Sequence, residues 1–262
     1  MEFLHILVGG VVGFIIGLTG VGAGSLMTPI LVLGFGVSPA IAVGTDLIYA
    51  AITKSGGVFF HHTHRTIDWR VVRRLCSGSI PASIFTVILI ASLKQTGFDA
   101  EKLISLTLSV MLILTSMVII FKDRLLAQLH ASIGANDQYF KSLLNLRPTL
   151  TVIVGISLGI LVTISSVGAG AIGAAILFLL YPNKRPVCIV GTDLAHAVPL
   201  TAIAGLGHMH YGSVDFALLG GLLAGGIPAI YLGSVFGKKL PDKILRPIVA
   251  ALLMALGLKF AL

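Results

Sequence analysis

The chain has 262 residues, 56% of them hydrophobic and 11% charged, with a formal net charge of +8. A soluble domain holds about 25% charged residues, so a soluble enzyme and a nucleic-acid-binding domain are both excluded. A mean hydropathy of +1.03 points instead to a polytopic membrane protein, in which Lys and Arg accumulate in cytoplasmic loops.

Apolar runs near the length of a spanning helix follow one another along the chain. The first, about 3–37, has no basic segment before it and reads as a retained segment rather than a cleaved signal. Thr19-Gly20-Val21-Gly22-Ala23-Gly24 interrupts it. Glycine in a helix interior costs roughly 1 kcal/mol relative to alanine, and broken helices at bilayer depth survive only where they line a cavity or lie inside protein. The stretch therefore reads as a deliberate break that offers amides and a helix N-terminus to a small anion. A second run covers about 39–60, a polar loop 61–74, and further runs 75–93 and 103–121. After a polar stretch from Lys122 to Arg147 come a second glycine-broken run at 149–181, with Ser165-Ser166-Val167-Gly168-Ala169-Gly170, and runs at 186–207, 214–237 and 244–262.

The second half repeats the first at an offset of about 147 residues. Val21-Gly22-Ala23-Gly24 matches Val167-Gly168-Ala169-Gly170, and Val43-Gly44-Thr45-Asp46-Leu47 matches Val190-Gly191-Thr192-Asp193-Leu194. His61 matches His208, Asp68 matches Asp215, and Ile80-Pro81-Ala82 matches Ile227-Pro228-Ala229. The expected organisation is a first membrane repeat at 1–121, a cytoplasmic linker at 122–148 and a second membrane repeat at 149–262.

Loop charge sets the orientation. Loop 61–74 has Arg65, Arg70, Arg73 and Arg74, whereas 208–215 has no Lys or Arg. Conversely, 237–247 has Lys238, Lys239, Lys243 and Arg246, whereas 94–102 is balanced. Placing 61–74, 122–147, 181–186 and 237–247 in the cytoplasm puts every charge-rich loop inside. Each half then crosses an odd number of times. The expected fold is an all-α polytopic membrane protein of two inverted repeats. Each repeat has a glycine-broken, re-entrant helix pair (4–18 with 23–34; 150–163 with 169–180) plus three transmembrane helices. The alternative is one kinked helix in each place and parallel halves.

Ionisable residues inside membrane segments are functional candidates by default; here they are Asp46, Lys54, Asp193 and His196. The reading assigns anion binding to Thr19, Gly20, Gly22, Gly24, Ser25, Thr45, Ser165, Ser166, Gly168, Gly170 and Thr192. It assigns proton coupling or gating to Asp46, Asp193, His196 and Lys54, with helix capping as the other role open to the aspartates. His196 follows Asp193 by three residues, on the same helical face. His61, His62 and His64, like His208 and His210, lie in loops with few carboxylates and read as interfacial residues. No metal is expected there. Cys76 and Cys188 read as packing residues, and Pro81 and Pro228 as kinks in equivalent helices. The glycines do not follow a dinucleotide-binding order, no cofactor is expected, and no activated nucleophile suggests an enzyme.

Gly17-Leu18-Thr19-Gly20-Val21-Gly22-Ala23-Gly24 followed by Pro29, its second copy, and Val43-Gly44-Thr45-Asp46 resemble the TauE/SafE family of sulfite and organosulfonate permeases. The resemblance covers nearly the whole chain. It implies a bacterial or archaeal inner-membrane transporter of small sulfur-containing anions, often outward. Ala23, Ser25 and Ser165-Ser166 depart from the usual glycine cluster. The sequence reading is a secondary transporter, an exporter of sulfite or a short organosulfonate bound at mid-membrane, whose partners are that anion and the lipid bilayer. An anion channel of the same architecture, or a divalent metal-ion permease using Asp and His, stays open beside it.

Overall fold

The computed structural model describes residues 2–19, 24–97, 99–134, 146–237 and 242–261. Among these the secondary structure is all helical. The first repeat gives α1 (Glu2–Thr19), α2 (Gly24–Phe35), α3 (Pro39–Thr63), α4 (Trp69–Gln95) and α5 (Ala100–Gly134). The second gives their mates in the same order: α6 (Arg147–Ser165), α7 (Ala171–Leu180), α8 (Pro186–His210), α9 (Phe216–Gly237) and α10 (Asp242–Ala261).

Local chemistry explains the starts. Pro39 and Pro186 sit in the first turns of α3 and α8, where a missing N–H costs nothing. The Asp68 carboxylate accepts from the Arg70 and Val71 amides and caps α4. Its mate Asp215 accepts from the Leu218 amide at the start of α9.

Two elements are longer than the sequence suggested. α5 runs to Gly134 although the apolar run stops at Phe121. Charge ends an apolar run but not a helix, since Lys, Arg and Gln are good helix formers. α6 begins at Arg147 and ends at Ser165, and its 19 residues are enough by length and composition to cross a membrane. The expected limb of 150–163 was therefore too short. α4, α8, α9 and Ala100–Phe121 of α5 are likewise long and apolar enough to cross.

Both glycine-broken segments fold back as helical hairpins. At the foot of the second, the Thr151 hydroxyl lies 2.8 Å from the Tyr181 hydroxyl. At the foot of the first, the His5 and Phe35 rings lie 6.1 Å apart. The two contacts join equivalent positions of the two halves.

The halves interlock rather than sit side by side. α1 packs on α9, and their mates α6 and α4 pack on each other. Small residues let the backbones touch: a Cβ on Gly9, Gly13 or Gly17 would strike the backbone of Leu222, Gly226 or Ile230 in turn. Gly78, Gly155 and Gly159 serve the same purpose between α4 and α6. In both pairs the contacts advance together, so the helices run parallel. Mates packed on each other run antiparallel. Ser109 and Ser116 of α5 donate to the carbonyls of Gly257 and Ala250 of α10, at 2.8 and 2.7 Å. Gly44 of α3 abuts Ser213 and His208, while Gly191 of α8 abuts His61. The largest core cluster joins Leu26, Met27 and Leu31 of α2 to Leu108 and Leu112 of α5, Leu222 of α9 and Leu253 of α10. Outside it, Ile84, Phe85, Ile88, Leu106, Val110 and Leu114 stay exposed at helical spacing on α4 and α5, as a lipid-facing surface requires.

Candidate functional site at the second glycine break

The break between α6 and α7 is built from backbone conformations that side chains rarely adopt. Ser166 ends α6 in the left-handed region (φ 60°), with its amide donating to the Val162 carbonyl at 2.7 Å. Gly168 and Gly170 follow at φ 118° and 130°, values that favour glycine. The Ser165 hydroxyl donates to the Leu161 carbonyl and accepts from the Val167 amide. The tip is thereby fixed with the N-terminal turn of α7 facing inward. The first amides of any helix lack intrahelical partners and carry its positive dipole end.

Three charged side chains converge near this tip. Asp46, Lys54 and Asp193 are 0%, 8% and 3% exposed, so they are sealed from bulk water. Lys54 Nζ donates to the Ala169 carbonyl, 3.0 Å away within the break, and its charge is felt by both Asp193 and Asp46. Asp46 accepts a 2.6 Å hydrogen bond from the Thr28 hydroxyl. It thereby sits against the N-terminal part of α2, and the Ser166 hydroxyl approaches it without reaching hydrogen-bond geometry. Asp193 takes the equivalent place in the other half. Its Oδ1 occupies the space where a Cβ on Gly173, the third residue of α7, would stand. Each aspartate thus lies against the early turns of the second limb of its own hairpin.

Other buried polar groups are also paired by the repeat. His196 is fully buried, and its Nε2 lies 2.9 Å from the Ser79 hydroxyl of α4. At the mate positions, the Tyr49 hydroxyl occupies the space where a Cβ on Gly226 of α9 would stand. Thr163 of α6 donates to Ser83 at 2.7 Å, and its carbonyl lies 2.9 Å from His208 Nε2.

The structure brings Asp46, Lys54, Asp193, Ser166, Gly168 and Gly170 to one region. Thr45 and Thr192 lie inside continuous helices, away from a break, and their hydroxyls hold the halves together. Thr45 accepts from the Asp215 amide at 3.1 Å, and Thr192 from the Asp68 amide at 3.0 Å. Ser25 is buried near the start of α2. Gly20 and Gly22 lie outside the described residues. Thr19 ends α1 and Gly24 begins α2, each described by its backbone alone. Sequence reasoning missed Thr28, Ser79 and Gly173. Hydroxyls at 79, 83 and 86 of α4 were the available signal, since this spacing puts them on one face. The histidines expected in loops mostly lie on helices: His61 and His62 end α3, and His208, buried, and His210 end α8. His61 Nδ1 lies 2.7 Å from the Thr66 hydroxyl and His64 Nδ1 2.8 Å from the Phe60 carbonyl. The described residues contain no group of three or more His, Cys, Asp or Glu placed to hold a metal.

Residues 5–260 match the family described as Sulfite exporter TauE/SafE. The chain belongs to the TauE/SafE family. It is 37% identical over 262 residues to the Bacillus subtilis (strain 168) protein named "Probable membrane transporter protein YjnA", covering 99% of both chains. It is 22% identical to "Probable membrane transporter protein YunE" of the same organism, covering 98% of this chain and 96% of that one. No solved structure matches. With its apolar helices, this TauE/SafE protein is a multi-pass membrane protein of a transporter family.

Proposed function

We propose that the protein is a secondary transporter that exports a small sulfur-containing oxyanion, sulfite or a short organosulfonate, across the cell membrane, binding it at the N-terminal turns of α2 and α7 beside Lys54. The observation that carries this reading is the placement of Asp46 and Asp193 against those same turns. A helix N-terminus with a nearby ammonium attracts one anion well. In a buried site a second negative charge at the same place is expensive. An ionised aspartate and the cargo therefore compete for one position, and cargo binds when the carboxyl takes up a proton or swings away. This links transport to the aspartates' charge state and gives His196, three residues beyond Asp193, a role in setting it. An inside-negative potential of 100 mV drives each anionic charge outward by about 2.3 kcal/mol, so export needs no further energy source.

The antiparallel run of α3 on α8 and of α5 on α10 supports an inverted duplication, with 61–74, 122–147, 181–186 and 237–247 on the cytoplasmic side. In a Cys76/Cys188-free background, cysteines at Thr63 and Tyr211, both exposed, should label from opposite faces of the membrane. Labelling from one face would end the inverted reading. The substrate is tested by uptake of labelled sulfite into proteoliposomes, with sulfate, acetate and taurine as competitors. Saturable flux competed by unlabelled sulfite is expected. Flux that does not saturate identifies a channel, and absence of flux with intact protein removes sulfite as cargo.

A further inference from the structure

At the end of the bundle carrying loops 61–74 and 181–186, a cavity of about 570 Å³ opens to the surface. Arg65, Arg70, Arg73 and Lys184 line it, together with Trp69 and one carboxylate, Asp68. That carboxylate is already occupied. Its Oδ2 binds Lys184 at 2.5 Å, and its Oδ1 accepts from the Arg70 and Val71 amides at 2.9 and 3.3 Å. Lys184 is therefore neutralised within the pocket, and three guanidinium groups remain with no carboxylate lining the cavity to answer them. Arg65 is held there by a left-handed backbone (φ 53°), and Arg70 and Arg73 follow one another by three residues on α4. Guanidinium is the side chain best suited to phosphate, because its fork binds two oxygens at once.

The surroundings select the source of that phosphate. Trp69 is 47% exposed at the cavity, and Phe59 and Phe60 at the end of α3 are 76% and 57% exposed. Aromatic side chains beside arginines at a helix end belong to the membrane interface, where acyl chains meet headgroups. A soluble anion has no use for that apolar flank. We propose that this pocket binds the phosphate headgroup of an anionic phospholipid.

The test uses the purified full chain in detergent, with thermal unfolding followed as lipid is added. Phosphatidylglycerol raises the midpoint by several degrees more than phosphatidylcholine. Arg70→Gln/Arg73→Gln removes at least half of that difference, and Arg74→Gln, on the same helix but outside the pocket, keeps it. An equal shift in the double variant, or an equal loss in Arg74→Gln, overturns the site in favour of diffuse charge. Inorganic phosphate reproducing the whole shift without lipid overturns the lipid as the occupant. Native mass spectrometry of the unmutated protein gives an independent reading. Retained phosphatidylglycerol with phosphatidylcholine lost supports the site, and equal retention of the two overturns it.

Discussion

The Asp68 amide donates to the hydroxyl of Thr192, and the Asp215 amide donates to the hydroxyl of Thr45. These are one contact made twice, each tying the start of a long helix in one half to the Gly-Thr-Asp segment of the other. The threonines of that segment are thereby engaged in assembly, and the adjacent aspartates face the breaks.

Removing either hydroxyl should loosen the joint without touching the tip. Thr192→Val and Thr45→Val are each expected to cost about 1 kcal/mol. In a chain of this size that lowers the unfolding midpoint by about 2–4 °C. Sulfite uptake at saturating substrate should stay near wild type. A collapse of uptake with the midpoint unchanged would put these hydroxyls in the binding site instead.

Lys54 holds the Ala169 carbonyl and balances two carboxylates. Lys54→Met leaves Asp46 and Asp193 buried without their cation, so uptake should fall at least tenfold, about 1.4 kcal/mol or more, with a lower unfolding midpoint. Adding Asp193→Asn to Lys54→Met should recover part of the stability but not the transport. Recovery of both would show that Lys54 serves the fold alone.

Gly173 is the reason Asp193 can approach α7. A Cβ there would collide with the Asp193 carboxylate, so Gly173→Ala should push the carboxylate off the helix terminus and alter the pH profile of uptake. Asp193→Asn, unable to ionise, should flatten that profile. An unchanged profile in both variants would leave Asp193 with a capping role only.

The Asp68–Lys184 pair gives a pH dependence at the protein surface. Partial burial pushes the Asp68 carboxyl upward, but the Lys184 hydrogen bond, the Val71 amide, the Lys184 charge and the Arg70 amide outweigh it and hold the group below its ordinary value of 3.8. The stabilisation is therefore fully present above that value and is lost as pH falls through the lower value of the folded state. The cost of Lys184→Met should therefore be present, though small for so exposed a pair, near neutral pH and should vanish in unfolding scans as pH falls below the folded-state value. A midpoint that responds to Lys184→Met equally at all pH values would contradict it.

Much of this architecture was legible in the residues. The two glycine motifs and the Gly-Thr-Asp copies marked the duplication, because glycine at alternate positions is expensive unless a break uses it. The buried ionisable residues announced themselves by type alone. The extension of α5 past Phe121 was hidden, because hydropathy reports contact with lipid and not backbone conformation. The partners of the aspartates were hidden for another reason. Thr28 meets Asp46 across a helix pair, and its repeat mate Ala174 has no hydroxyl, so neither spacing nor repetition flagged it. Gly173 was one glycine among 31, and only the approach of Asp193 distinguishes it.

The unequal mates carry a last consequence. His196 grips Ser79 where Tyr49 merely fits over Gly226, and Lys54 stands where the second half has Thr201. In an alternating-access cycle built on an inverted repeat, the outward-open shape is the inward-open shape with the halves trading conformations. Two identical halves would make those shapes equal in energy. On the proposed cycle every difference between mates tilts that balance, so the resting side of the membrane is set by positions such as these, where the two halves carry unlike residues.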